Sequence, residues 1–382
     1  MKSLNKFYIA FVLVWTPVQM YLLHIDSIGR SITLLTVLVF LSNLFNDEYL
    51  KLRFDKSCVV LGLWTIYSIV NTILKGHDDP EMPTIWFIGN WLIAPFVVYT
   101  VLLEEFLRDK KSFLTLIVAS MSVYAVLGIL LGSPEGDSER NLNELGNSLP
   151  ITLFVFVFFI LVKSPKNTVS WFVVALLMLY IWGSGTRKAV FAVLIIVFSA
   201  IVSRRQWSFK RILLYGVIIV FVYKIGSNLL SNSLFADRMS DSIEAGTKEN
   251  TTDIAVLSFL GDRTYMYIEG WDIFLDHKLT GVGLTNFRHY SKLDSFLHSE
   301  YMVQLAEGGL VSVILFLLFI YYIIQPALKR GSLQIKENVY CFGFMFSCII
   351  IYLTTWTYNF LVFFMAYAYI HASFDINQKR LK

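Results

Sequence analysis

Residues 303–330 read VQLAEGGLVSVILFLLFIYYIIQPALKR, and after Glu307 no charge occurs until Lys329 and Arg330. About 20 apolar residues at a rise of about 1.5 Å each cross the ~30 Å hydrocarbon core of a bilayer. The run predicts a membrane-spanning helix over about 303–325. The basic pair that follows it marks a cytoplasmic end, where Lys and Arg are retained.

Runs of the same kind recur along the chain. They lie at about 7–23, 30–46, 57–74, 84–103, 112–132, 147–162, 168–182, 187–202, 210–227, 337–355 and 358–374. With 303–325 they predict an all-α polytopic membrane protein of about 12 transmembrane helices. The first run lacks a small-residue cleavage site and is followed at once by a second, so it reads as a retained helix rather than a signal peptide. Composition agrees: the 382 residues are 56% hydrophobic and only 16% charged, whereas a soluble domain carries about a quarter charged residues to solvate its surface.

The placement of charge sets the orientation. With Lys2 and Lys6 inside, alternation puts Lys51, Arg53, Lys56, Arg108, Lys110, Lys111, Lys163, Lys166, Arg204, Arg205, Lys210, Arg211, Lys329, Arg330, Lys336, Lys379, Arg380 and Lys382 on the same side. The short outer loops keep only Arg30, Lys75, Arg140, Arg187 and Lys188. The asymmetry predicts both termini in the cytoplasm and an even number of spans.

One segment breaks the rhythm. Residues 228–302 contain no spanning run and form one large extracytoplasmic loop, a length that is usually functional or disordered. The domain organisation is therefore 1–227, transmembrane helices 1–9; 228–302, the loop; and 303–382, helices 10–12 with a cytoplasmic tail. The loop's first part is acidic (Asp237, Asp241, Glu244, Glu249, Asp253). Its second part predicts a helix from Asp262 to Asp276, a glycine turn, and another helix start near His298.

Several function classes drop out. No basic run is long enough for nucleic acid, and no Cys/His spacing resembles a zinc site. Cys58, Cys341 and Cys348 sit in or beside apolar runs, and the outer loops hold no cysteine, so no disulfide framework is expected there. The inverted repeat of a secondary transporter is not visible.

Three constellations carry chemistry. Gly183-Ser184-Gly185-Thr186-Arg187-Lys188 joins two spans on the outer side. There two cations open a helix beside the positive end of its dipole and on the face where positive charge is disfavoured. A phosphate or pyrophosphate would compensate both; the alternative is a snorkelling pair in a tight turn. In the loop, Arg263, Tyr267 and Trp271 recur at i, i+4 and i+8 and share a helix face, ahead of Gly281-Val282-Gly283-Leu284-Thr285-Asn286-Phe287. Arg263 is either functional or a salt-bridge partner of Asp262 or Glu269. Finally, His298-Ser299-Glu300-Tyr301 precedes Glu307-Gly308-Gly309. His298, at the mouth of a span beside carboxylates, is either a structural interfacial histidine or a group for proton transfer. Glu300 and Glu307 are other bases, although Glu307 with its two glycines reads as a close-packing feature.

In this order the motifs resemble the O-antigen polymerase/O-antigen ligase family of bacterial envelope glycosyltransferases, which includes related capsule polymerases. The likeness rests on Ser184-Gly185-Thr186-Arg187, Arg263, Gly281-Val282-Gly283-Leu284-Thr285-Asn286-Phe287, His298-Ser299-Glu300-Tyr301 and Glu307-Gly308, with Arg140-Asn141-Leu142-Asn143-Glu144-Leu145-Gly146 ahead of them. Two departures stand out: Lys278-Leu279-Thr280 replaces a proline turn, and Ser299 replaces an asparagine.

The resemblance implies a GT-C-like enzyme of the bacterial inner membrane. Such an enzyme transfers a glycan from undecaprenyl pyrophosphate to a hydroxyl, with inversion and without metal or cofactor. The acceptor is a lipid-linked repeat in a polymerase and the lipid A core in a ligase. A flippase for lipid-linked oligosaccharide is the alternative of another class. The family reading gives Arg187, Arg263 and His298 catalytic roles. Lys188, Arg288, Arg140, Asn143, Tyr267, Trp271 and Tyr301 would bind substrate; Tyr265, Tyr267, Trp271 and Tyr290 either stack on sugar rings or anchor the loop at the interface. The implied partners are the undecaprenyl-pyrophosphate-linked oligosaccharide, membrane lipid, a chain-length regulator and a flippase.

Overall fold

The structure is a computed structural model that describes residues 2–18, 29–45, 55–76, 84–131, 194–196, 198–199, 263–292, 297, 299–329, 335–352 and 361–379. Among them every regular element is a helix. The long ones are α1 (Lys2–Val18), α2 (Gly29–Leu44), α3 (Lys56–Lys75), α4 (Ala94–Leu131), α5 (Arg263–Asp276), α6 (Gly309–Ile324), α7 (Lys336–Tyr352) and α8 (Leu361–Lys379). Among the described residues three helices are long and apolar enough to cross a membrane: Lys56–Lys75, Ile88–Lys110 and Gly309–Leu328. The spans expected at 147–162, 168–182 and 210–227 lie outside the described residues, as does the acidic first part of the loop.

Local sequence explains where these helices begin and bend. Asp55 caps α3, its carboxylate accepting from the Ser57 amide at 2.8 Å, which satisfies one of the orphan donors of the first turn. Within α4, Asp109 leaves helical geometry (φ −146°, ψ 64°), and its carboxylate accepts from the Ser112 amide at 3.2 Å. This kink falls among Arg108, Lys110 and Lys111, between the two spans expected there.

The chain divides into two compact units. The first comprises Met1–Pro134, Tyr265–Leu333 and Tyr352–Lys382. In it α4 packs against α1 and α8, and α6 against α3. The second comprises Glu135–Thr264 and Gln334–Ile351; there Gly343 of α7 leaves room for Ser199, whose side chain a Cβ would overlap.

Burial in the first unit follows a membrane pattern. Val59, Leu63, Ile66, Val70, Ile73 and Leu74 point outward along α3, while Ser68, Asn71 and Thr72 point inward. On α6, Leu310, Ile314, Leu317 and Tyr321 are exposed and Ser312 is buried. Lipid accepts apolar side chains, and polar ones are satisfied by turning towards neighbouring helices. Trp64 illustrates the inward face: its indole donates to Ser312 Oγ at 2.8 Å while its ring packs 5.4 Å from that of Phe316.

Two further polar groups join helices inside this unit. Asn5 donates to Glu105 Oε1 at 2.9 Å, and Asn43 donates to Asn5 Oδ1 at 3.1 Å, tying α1, α2 and α4. Tyr99 donates to Ser57 Oγ at 2.8 Å, and its hydroxyl lies 2.8 Å from His371 Nδ1, tying α3, α4 and α8.

Candidate functional site: a loop strapped to the ends of two helices

The glycine-rich stretch after α5 is built by backbone pairing with the residues that precede α6. Val282 donates to the Ala306 carbonyl and Gly283 to the Glu307 carbonyl, both at 2.9 Å; in return Leu310 donates to the Lys278 carbonyl at 2.8 Å and Val311 to that of Leu279 at 3.3 Å. The approach is close enough to dictate residue type. Gly281 has φ 62° and Gly309 φ 68°, a region costly for residues with a Cβ. A Cβ on Gly281 would also fall on the Glu307 carbonyl, and one on Gly309 on the backbone of Leu279 and Gly281. Glu307-Gly308-Gly309 is thus a packing feature, as its glycines predict, but its partner is the loop backbone.

Glu307 then closes the loop with its side chain. The fully buried carboxylate accepts from the Thr285 amide through Oε2 at 3.0 Å and from the Phe287 amide through Oε1 at 3.3 Å. Residue 307 stands two positions before the apolar helix Gly309–Leu328. Residues Val303–Glu307 form a π-helix, an irregularity frequent at functional sites. Glu300, also fully buried, accepts from Gln304 Nε2 at 2.6 Å. Gln304 Oε1 accepts from Ser312, which continues to Trp64.

The end of α3 supplies the second half of the strap. Tyr67 donates to the Gly308 carbonyl at 2.7 Å, and Asn71 to that of Thr280 at 3.1 Å. Lys75 Nζ donates to Thr280 Oγ1 at 2.8 Å and to the Gly281 carbonyl. Asn286 Nδ2 returns a bond to the Gly76 carbonyl at 3.2 Å. On its far side the loop is held by Glu269 of α5, which accepts from the Lys292 amide at 2.8 Å and from Ser291 Oγ.

The expected site residues distribute as follows. The predicted loop helix is α5; Arg263 is its first residue, and Tyr267 and Trp271 follow on it. Tyr267 is half-buried and Trp271 is exposed. Arg288 is half-buried, in the short helix Phe287–Tyr290 that ends the strapped loop. Tyr301 packs edge-on to Tyr352 at 6.3 Å. The residues on either side of position 298 are buried; of them Ser299 donates to the Tyr352 carbonyl at 3.3 Å. His298, Arg187, Lys188, Arg140 and Asn143 lie outside the described residues. Among these residues and motifs, then, the structure joins the Gly281–Phe287 and Glu307-Gly308-Gly309 motifs directly. The sequence does not single out Tyr67, Asn71 and Lys75 for this role: they sit at the end of an apolar run, and the one signal there is the i, i+4 spacing of the polar pair Asn71 and Lys75.

These features define a helical membrane protein with an ordered loop strapped across the ends of two apolar helices. Residues 171–317 match the family model described as O-antigen ligase. The match covers most of the motifs and supports the resemblance to the O-antigen polymerase/ligase family. No curated protein matches the chain.

Proposed function

We propose that this protein is a polysaccharide polymerase of the bacterial inner membrane that uses undecaprenyl-pyrophosphate-linked repeats, of O-antigen or capsule, as donor and acceptor. The observation that supports glycosyl transfer, common to polymerases and ligases, is the family match over 171–317, which contains the Arg187 turn, Arg263, the strapped glycine loop and His298-Ser299-Glu300-Tyr301. The acceptor hydroxyl attacks the anomeric carbon of the donor glycan. The bond from that carbon to the pyrophosphate oxygen breaks, and the electron pair leaves with the lipid pyrophosphate. His298 takes the hydroxyl proton. Negative charge grows on the leaving group, and fixed cations aimed at it lower the barrier; Arg187 and Arg263 take that role, with Lys188 and Arg288 in support. Arg140, Asn143, Tyr267 and Tyr301 contact the glycan chains.

The strapped loop supports the chemistry in a general way. A reaction that depends on positioning gains from backbone that does not reorganise, and Glu307, Lys75 and the two tight glycines fix the Gly281–Phe287 loop. A chain-length regulator and a flippase are partners in this reading. Transfer to a lipid A core is the second reading, favoured by the description of the matching family as O-antigen ligase.

A gene deletion complemented with the wild type separates the two. Single-repeat surface glycan in the deletion supports a polymerase. Carrier-linked polymer that accumulates while lipid A stays bare supports a ligase. An unchanged surface-polysaccharide gel profile removes both.

A further inference from the structure

Helix α5 turns a strip of large apolar side chains outward. Tyr265, Ile268, Trp271 and Leu275 are 66%, 52%, 49% and 44% exposed, and Leu279 just beyond the helix is 68% exposed. At 3.6 residues per turn the four helical positions fall within an arc of about 120°. Gly270 and Ile273, on the opposite side, are buried. The strip is wide enough to be the apolar face of an amphipathic helix.

What covers it follows from where it leads. The Leu310 amide is bonded to Lys278 and the Val311 amide to Leu279, and Leu310 and Val311 begin the outward stripe of α6. Lys75 ties the same turn to the end of α3, where Ile73 and Leu74 are exposed. The outward face of α5 therefore continues, through Leu275 and Leu279, the apolar surface of two helices that are long and apolar enough to cross a membrane. Exposed Asp272 lies towards the Tyr265 side of the strip and Asp276 beyond it, which makes that side the wetter edge.

We propose that α5 is an interfacial helix, its Trp271–Leu275 edge sunk into the boundary between headgroups and acyl chains of the phospholipid bilayer. Tyr265 sits at the shallow edge with its hydroxyl among the headgroups, where amphipathic rings are favoured. The inference needs α3 and α6 to cross the bilayer but does not need the proposed glycosyl transfer. It makes the membrane itself part of what fixes the strapped loop, at the depth of the headgroups.

The test uses the full chain reconstituted in vesicles of phosphatidylcholine and phosphatidylglycerol. The chain has nine tryptophans, so the signal of Trp271 is the difference between wild type and Trp271→Phe. Phosphatidylcholine brominated near the headgroup should quench that difference at least about two-fold, more than lipid brominated near the chain end, while aqueous acrylamide has little effect. Quenching by acrylamide without quenching by brominated lipid would overturn the proposal in favour of a water-exposed, sugar-stacking surface. Resistance to both would overturn it in favour of a second copy of the chain covering the strip. Should Trp271→Phe lose folded protein, Leu275→Trp reads the same edge as an added signal with the same outcomes. Polysaccharide gels on the same variants report the enzymatic reading separately, since membrane depth is measured without turnover.

Discussion

The Glu307 carboxylate lies 3.0 Å from the backbone amide of Thr285, and Thr285 has φ 67°. A β-branched residue in the left-handed region is strained, at about 1–3 kcal/mol for such conformations. It persists where its surroundings over-determine it. Here they do: Glu307 accepts from Thr285 and Phe287 together, the Thr285 hydroxyl donates to the Leu284 carbonyl at 2.6 Å, and the residues from Gly281 to Phe287 are all buried.

Glu307→Gln should therefore act on the loop before it acts on the fold. The amide side chain keeps one acceptor but turns an NH2 group towards the other backbone donor, and an unmade hydrogen bond of this kind costs about 1–3 kcal/mol. Chain extension should fall roughly ten-fold or more on that scale, with protein levels near wild type. Limited proteolysis should cut faster between residues 277 and 292. Normal glycan length together with a wild-type cleavage pattern would remove Glu307 from the positioning of the loop. Glu307→Ala should do worse, leaving both amides unanswered and a cavity behind.

The two tight glycines make a sharper contrast. Gly281→Ala and Gly309→Ala each place a Cβ on fixed backbone as well as in a positive-φ conformation, so each should lower the melting temperature of the purified protein markedly. Gly62→Ala is the matched control. It lies within α3, its Cβ would meet only Phe96 at 3.4 Å, and alanine is favoured over glycine in a helix by roughly 0.5–1 kcal/mol. A melting temperature for Gly281→Ala as high as that of Gly62→Ala would mean that the loop and α6 do not approach as closely as described.

How much of this could be read in the sequence depends on whether the information was local. The apolar run expected over 303–325 and the loop helix are continuous or periodic patterns within one segment. The loop helix begins one residue from where its pattern put it, whereas the apolar helix runs from Gly309 to Leu328, because Val303–Glu307 form a separate π-helix before the glycine pair. Glu307-Gly308-Gly309 was legible as a close approach but not as an approach to a backbone more than twenty residues upstream, because hydrogen-bond pairing across a loop leaves no period in either strand of chain. Lys75 was legible only as a stray cation on the outer side. Its partners Thr280 and Gly281 lie some two hundred residues away, and nothing in a single sequence records that distance closing.

Lys75→Met tests that closure directly. Methionine keeps the length and apolar stem but removes the donors to Thr280 and Gly281. Lys75 is largely exposed and solvent competes for it, so the loss should be near the low end of the usual range for such bonds, about 1 kcal/mol. The expected result is a glycan profile shifted several-fold towards short chains at normal protein level. Combining Lys75→Met with Tyr67→Phe should cost more than either alone, because both hold the same turn. A double variant with wild-type chain length would separate the end of α3 from the activity.

The arginines carry the proposal's chemistry and admit the plainest test. Arg187→Ala and Arg263→Ala should each abolish chain extension, since each removes a charge meant to meet the pyrophosphate as it departs, an effect typically worth at least about a hundred-fold in rate. Lysine replacements distinguish charge from geometry: a guanidinium contacts phosphate in a bidentate fashion and an ammonium as a point charge, so Arg187→Lys should recover part of the extension but not wild-type length. His298→Ala should leave carrier-linked single repeats, and His298→Gln should not restore turnover, because an amide takes up no proton at neutral pH. Wild-type chain length in Arg187→Ala or Arg263→Ala, with the protein present in the membrane, would sink the assignment of that arginine to the leaving group.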